Sequence, residues 1–192
     1  MVGSETSRLV VLRGNSGSGK SSIAAEIRAR FGRGVAVVSQ DLLRRGVLQE
    51  HDVSNGANIG LIDLVARYAL DQGFHVVVEG ILGATRYEAM LTALLRDHRG
   101  VSRCYYLDVP FEETLARHAT KPNSREFGAD EMRLWYRRLD LLTTGAEQVI
   151  PATSSLQASV EQILSDTHLM LHPVALRSNH STAQRSEMGR NS

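Results

Sequence analysis

Between residues 9 and 22 the chain reads Leu-Val-Val-Leu-Arg-Gly-Asn-Ser-Gly-Ser-Gly-Lys-Ser-Ser, and few stretches this short restrict a fold so tightly. Four apolar residues make a short strand, G-x-x-x-x-G-K-S follows, and a helix opens at Ser21 or Ser22. Strand, glycine-rich loop and helix in that order form the phosphate-binding loop, the Walker A pattern. Gly14, Gly17 and Gly19 let the backbone bend tightly, so that successive N–H groups along Gly14, Asn15, Ser16, Gly17, Ser18 and Gly19 face a nucleotide's phosphates. The helix behind them, entered through Lys20, Ser21 and Ser22, adds its positive dipole end to the same anion site. Lys20 is expected to reach the β and γ phosphates, and the Ser21 hydroxyl to ligate Mg²⁺. The loop points to a bound nucleoside triphosphate; what receives a phosphate lies elsewhere in the chain.

Downstream, strand and helix patterns alternate. Residues 22–31 place Ile23, Ala24, Ile27 and Phe31 on one helical face. Residues 34–39 (Gly-Val-Ala-Val-Val-Ser) are a continuous apolar run, as in a strand covered on both faces. Helical spacing returns over 59–72, another buried strand over 74–78, a helix over 85–98, a strand over 103–109, and a helix over 111–119 behind Pro110. A helix over 131–142, a short strand over 147–150 and a closing helix over 156–164 complete the pattern. Alternation of this kind predicts an α/β fold, a parallel sheet with helices on both faces and ligands at the carboxyl ends of the strands.

The strand ends therefore hold the candidates. Ser39-Gln40-Asp41-Leu42-Leu43-Arg44-Arg45 follows the second strand. Asp41 is the candidate base that deprotonates or orients an attacking hydroxyl; a helix N-cap is its other possible role. Arg44, one turn on, is placed to hold the acceptor, with Arg45 less favoured by register. Val76-Val77-Val78-Glu79 ends the third strand on a carboxylate, the Walker B form, with Glu79 meeting Mg²⁺ directly or through water. Arg86 opens the next helix as a second acceptor contact or a solvated helix residue. Between Arg117 and Phe127 runs a basic stretch broken by Pro122. It is expected to act as a lid whose Arg117 and Arg125, then Lys121, neutralise charge during transfer, or else to be a solvated face. The polar loop 151–155 offers backbone to an adenine edge. His168 and His172 stand four apart without a third ligand and read as incidental. Trp135 and Tyr136, with Met132 and Leu139, read as helix packing.

Composition narrows the class. The chain has 192 residues, 42% of them apolar, and a formal net charge of +1. That is one domain, and the balance points neither to a nucleic-acid surface nor to a membrane one. No secretory h-region or spanning stretch stands out. The lone cysteine, Cys104, fits a core position in a reduced, cytoplasmic protein. Residues 1–7 read as a flexible leader, 8–170 as the catalytic domain, and 171–192 as a disordered tail.

G-N-S-G-S-G-K-S, S-Q-D-L-L-R-R, V-V-V-E-G, Y-Y-L-D-V-P-F-E-E-T-L-A-R and the basic segment together resemble the small P-loop kinases of the polynucleotide kinase, zeta toxin and chloramphenicol phosphotransferase type. The resemblance spans about residues 8–165. It implies a three-layer P-loop NTPase fold with five parallel strands in the order 2-3-1-4-5 and a lid segment. It also implies Asp41 as general base, Arg44 as acceptor ligand, and lid arginines of which Arg117 and Arg125 are the candidates. Two departures stand out: Glu79 replaces the usual Asp, and residues 46–58, which should help shape the acceptor pocket, match no known pattern.

The expected function is an ATP- and Mg²⁺-dependent kinase acting on a hydroxyl of a small molecule: a nucleoside, a sugar or an antibiotic. The alternatives are a polynucleotide 5′-hydroxyl kinase or a zeta-toxin-like kinase, and, from another class, a regulatory ATPase without a small-molecule acceptor. Near-neutral charge weighs against a long nucleic acid. The chain lacks N-K-x-D, and its third strand is followed by Glu-Gly-Ile-Leu and not by the D-x-x-G of a GTPase switch; it also lacks L-S-G-G-Q, the mark of a transporter ATPase.

Overall fold

Leu9, Val10, Val11 and Leu12 are all at most 1% exposed, because the strand that carries them is covered on both faces. In a computed structural model, which describes residues 1–119 and 128–169, this strand β1 (Arg8–Gly14) lies at the centre of a five-stranded sheet. The other strands are β2 (Val35–Ser39), β3 (His75–Glu79), β4 (Val101–Asp108) and β5 (Glu147–Pro151). Every pairing is parallel, and the order is β2-β3-β1-β4-β5, as the resemblance implies. Alternate residues of β1 feed two cores. Leu9 and Val11 pack with Ile62, Leu70, Tyr87, Leu91 and Leu94 from α2 (Ala57–Asp71) and α3 (Ala84–Asp97). Val10 and Leu12 pack with Ile23, Ile27, Val160 and Ile163 from α1 (Lys20–Phe31) and α6 (Leu156–Thr167). Burying each such side chain is worth about 1.5–3 kcal/mol, so this central strand anchors both helical layers. Helices on both faces of a parallel sheet make this a three-layer P-loop NTPase fold.

Two elements differ from expectation. The helix expected over 131–142 is the short α5 (Ala129–Trp135), ending where Tyr136 turns extended. Beyond it the backbone is drawn to the phosphate loop instead of to its own helix: the Arg137 N–H donates to Asn15 Oδ1 at 2.9 Å, and Asn15 Nδ2 donates to the Arg137 carbonyl at 2.7 Å. Residues 1–7 are docked, not loose. Val2 is buried and exchanges backbone hydrogen bonds with Asp97 and Arg99, and Ser7 Oγ sits 2.8 Å from Nε2 of buried His98. Cys104 is a core residue whose thiol pKa is pushed up by burial, then by Glu147. The remaining helix, α4 (Phe111–Ala119), follows β4 as expected; Lys121, Arg125 and the rest of 120–127, like His172, lie outside the described residues.

Burial, with the nearby Arg8 charge, lowers the His98 pKa to about 4, against about 6.5 in an unfolded chain. As pH falls through 6.5 the unfolded state takes up the proton first. The contribution of neutral His98 is thus complete above that pH and is lost between 6.5 and 4. Thermal melts across this window should show a falling Tm, with a shallower slope in His98→Gln.

Candidate active site

The phosphate loop has the conformation its glycines require. Gly14, Gly17 and Gly19 have φ of 141°, 82° and 105°. A Cβ on Gly17 would lie 2.5 Å from the Thr114 carbonyl oxygen, so side-chain-free backbone is also needed for packing. Gly19 caps α1 with no side-chain hydrogen bond, and no acidic residue occupies the first turn. The helix N-terminus is therefore open to an anion from outside. Lys20 is buried; its Nζ donates to the Asn15 carbonyl at 2.8 Å and to Ser18 Oγ at 3.1 Å, folding the ammonium into the loop. Ser21 Oγ donates to Glu79 Oε2 at 3.0 Å. A hydroxyl and a buried carboxylate side by side, next to a phosphate cradle, are the hard oxygen donors Mg²⁺ prefers. Such a site takes its remaining ligands from phosphates and water. Among the described residues no group of three or more His, Cys, Asp or Glu side chains is gathered that could hold a metal ion by itself.

Asp41 and Arg44 come together at the end of β2. A π-helical turn, Leu42–Val47, starts immediately after Asp41. Arg44 reaches Asp41 Oδ1 at 3.2 Å, and Arg45 reaches the same oxygen at 3.7 Å. The Asp41 side chain is 71% exposed and makes no capping hydrogen bond, so helix capping does not account for it. Beside it opens a cavity of about 900 Å³, bounded by the phosphate loop at Gly14, Asn15 and Ser16 and across from it by Asp41, Arg44 and Arg45. Arg86 stands on its wall, ion-paired with Asp52. Arg117 lies on the other flank of the loop, donating to the Ser18 carbonyl at 3.2 Å and pairing with Glu113. Ser22 is an exposed residue of α1. In the loop after β5, Ser155 is spoken for as the N-cap of α6, accepting from the Ala158 N–H at 3.1 Å.

Several cavity residues have no signature in the sequence. Trp135, expected in helix packing, stands on the cavity wall with Leu134 and is 42% exposed; Tyr136 instead packs edge-on against Phe111 at 5.4 Å. Asp52, Arg137 and Asp140 also line the cavity. Each sits in an irregular stretch, where neither period nor motif distinguishes a site residue from a loop residue.

The family model AAA_33, AAA domain, matches residues 9–142. The chain belongs to this family. No curated protein matches this AAA domain. Among solved structures it resembles the Mycobacterium tuberculosis APS kinase CysC in complex with AMPPNP and APS, with a TM-score of 0.63, 20% identity, and 85% of this chain and 98% of that one covered. A gluconokinase from Sinorhizobium meliloti 1021 gives 0.56 at 17% identity, covering 87% and 94%. The Deinococcus radiodurans tunicamycin resistance protein gives 0.59 at 16% identity, covering 83% and 94%. At such identities the likeness establishes the fold, one this AAA domain shares with small kinases. Among its described residues no helix is long and apolar enough to cross a membrane.

Gly17→Ala forces a side chain into left-handed backbone against the Thr114 carbonyl. Calorimetric titration with Mg·ATP should show affinity reduced by about tenfold or more.

Proposed function

We propose that this AAA domain is an ATP-dependent kinase that transfers the γ-phosphate to a hydroxyl of a small-molecule acceptor. The observation that carries the reading is a cavity that is lined both by the phosphate loop and by Asp41 with Arg44. A phosphate donor and an acceptor hydroxyl can meet only where both halves border the same space.

In this reading the loop from Gly14 to Ser22 binds the triphosphate through backbone N–H groups and the α1 terminus, and Lys20 turns from its loop partners to the β and γ phosphates. Ser21 and Glu79 would hold Mg²⁺, which supplies charge neutralisation on the phosphates. Asp41 orients the acceptor hydroxyl and takes its proton. Arg44 and Arg86 hold the acceptor. Arg117, with Arg125 from the expected lid, offsets the negative charge that builds on the transferred group. The catalytic unit extends over about residues 8–170, with a tail beyond it. A cavity walled by close ion pairs suits a small acceptor better than a polynucleotide end, which would bring its own phosphates beside Asp41, Glu50 and Asp52.

ADP release should be screened with Mg·ATP against nucleosides, sugars, aminoglycosides and other hydroxylated antibiotics. At least one should raise it well above the acceptor-free rate. With that acceptor Asp41→Asn should lower kcat by about 10²–10⁴-fold, the range for loss of a general base, while Mg·ATP affinity stays within about threefold. Turnover indifferent to every acceptor would favour the regulatory ATPase instead.

A further inference from the structure

The stretch 48–56, which resembles nothing in sequence and forms no regular element, is nonetheless pinned on both flanks. The Glu50 carboxylate accepts the Ala57 and Asn58 N–H groups at 3.1 and 3.0 Å, capping α2. The Glu50 N–H donates to the Arg44 carbonyl at 2.9 Å. Two residues on, Asp52 is gripped at each oxygen: Oδ1 accepts from the Tyr87 hydroxyl at 2.6 Å, and Oδ2 pairs with Arg86. Hydrogen-bond logic makes the first contact one-way. The Tyr87 oxygen already accepts N–H from Gln40 at 2.7 Å and from Asn58 at 2.6 Å, and the Gln40 amide is oriented by the Leu82 N–H on its Oε1. The one phenolic proton is left for Asp52. Burial, reinforced by Asp52, holds the Tyr87 pKa above its ordinary value, so the phenol remains a donor. A chain of buried groups thus fixes the direction of one carboxylate on the wall of the acceptor cavity.

The cavity's charges are balanced and mostly committed. Arg44, Arg45, Arg86 and Arg137 face Asp41, Glu50, Asp52 and Asp140; Asp41 is held by Arg44, Asp52 by Arg86, and Asp140 by Arg13 from below. A charged acceptor group placed at Asp52 or Arg86 would have to break their ion pair and leave a half-buried partner unmatched. Hydroxyls would not: they can donate to the remaining lone pairs of Asp52 and accept from the remaining N–H groups of Arg86. Trp135 and Leu134 add an apolar wall that suits a C–H face.

We propose that Asp52 and Arg86 form a diol-binding subsite, and that the acceptor is an uncharged vicinal diol of sugar or ribose type resting against Trp135. Tyr87 is the positioning residue that aims Asp52. The proposal rests on the kinase reading for its name as an acceptor site, but binding tests it without transfer.

Trp135 is the only tryptophan in the chain, so its fluorescence reports occupancy of the cavity. With the nucleotide site saturated by Mg·AMPPNP, uridine and methyl α-glucoside would be titrated as diol probes against 2′-deoxyuridine and the 2-deoxy glucoside. At least one diol should bind about tenfold more tightly than its deoxy partner. Asp52→Asn should erase that preference with Mg·AMPPNP affinity unchanged, and Tyr87→Phe should reduce it. Arg86→Gln probes the same subsite from α3, and serves alone if Asp52→Asn proves unfolded in a thermal melt. The proposal is overturned if no diol at millimolar concentration moves the Trp135 signal, or if the folded variants keep the wild-type preference. A diol preference without ADP release would defeat the kinase reading alone; transfer to an acceptor lacking a diol would defeat this inference alone.

Discussion

A buried guanidinium holds this site together. Arg13, immediately before the first loop glycine, is fully buried. Its Nε donates to the Leu82 carbonyl at 2.9 Å, NH1 to both Glu147 oxygens at 2.8 Å, and NH2 to Asp140 at 3.2 Å. A charge out of water is costly unless every donor is answered, and here the answers come from the loop after β3, the start of β5 and the stretch after α5. The end of β1 is thereby locked to three segments that are far away in sequence. Leu82 shows how firmly: a buried leucine at φ 44° is tolerated because its carbonyl answers Arg13 while its N–H answers Gln40.

That lock shapes both halves of the cleft. Asp140, held from below by Arg13, also accepts the Ala84 N–H at 2.8 Å and so sets the start of α3. Arg86 and Tyr87 lie on that first turn, and through them Asp52 takes its place. On the donor side, Gly14 follows Arg13 directly, and Asn15 clips the chain after α5 to the phosphate loop through its side chain. Tyr106 Oη donates to the same Arg137 carbonyl at 2.9 Å. The phosphate cradle and the opposite wall are thus parts of one hydrogen-bonded frame. A parallel sheet makes this possible, because all its strands end on the same side.

The glycine-rich loop of the candidate site was legible in the sequence because its conformation tolerates few alternatives: a loop that wraps phosphates needs glycine where φ is positive, as at Gly14, Gly17 and Gly19. The sheet was legible for the same kind of reason, since runs such as Val76-Val77-Val78 suit a strand covered on both faces and little else. Asp41 and Arg44 stood out by their place after β2. The rest depends on partners distant in the chain. Asp52 is defined by a tyrosine 35 residues away, and Asn15 by a carbonyl 122 residues away. The end of α5 misled for that reason as well: Trp-Tyr-Arg-Arg-Leu carries no glycine or proline stop, and the helix ends because the phosphate loop competes for the Arg137 backbone.

In the proposed reaction, phosphate leaves ATP for a hydroxyl held in this cavity. Phosphorus NMR of the reaction with Mg·ATP and an acceptor that accelerates ADP release tests it most directly. The account predicts a new phosphomonoester resonance growing in step with ADP. Inorganic phosphate as the sole new signal would contradict it.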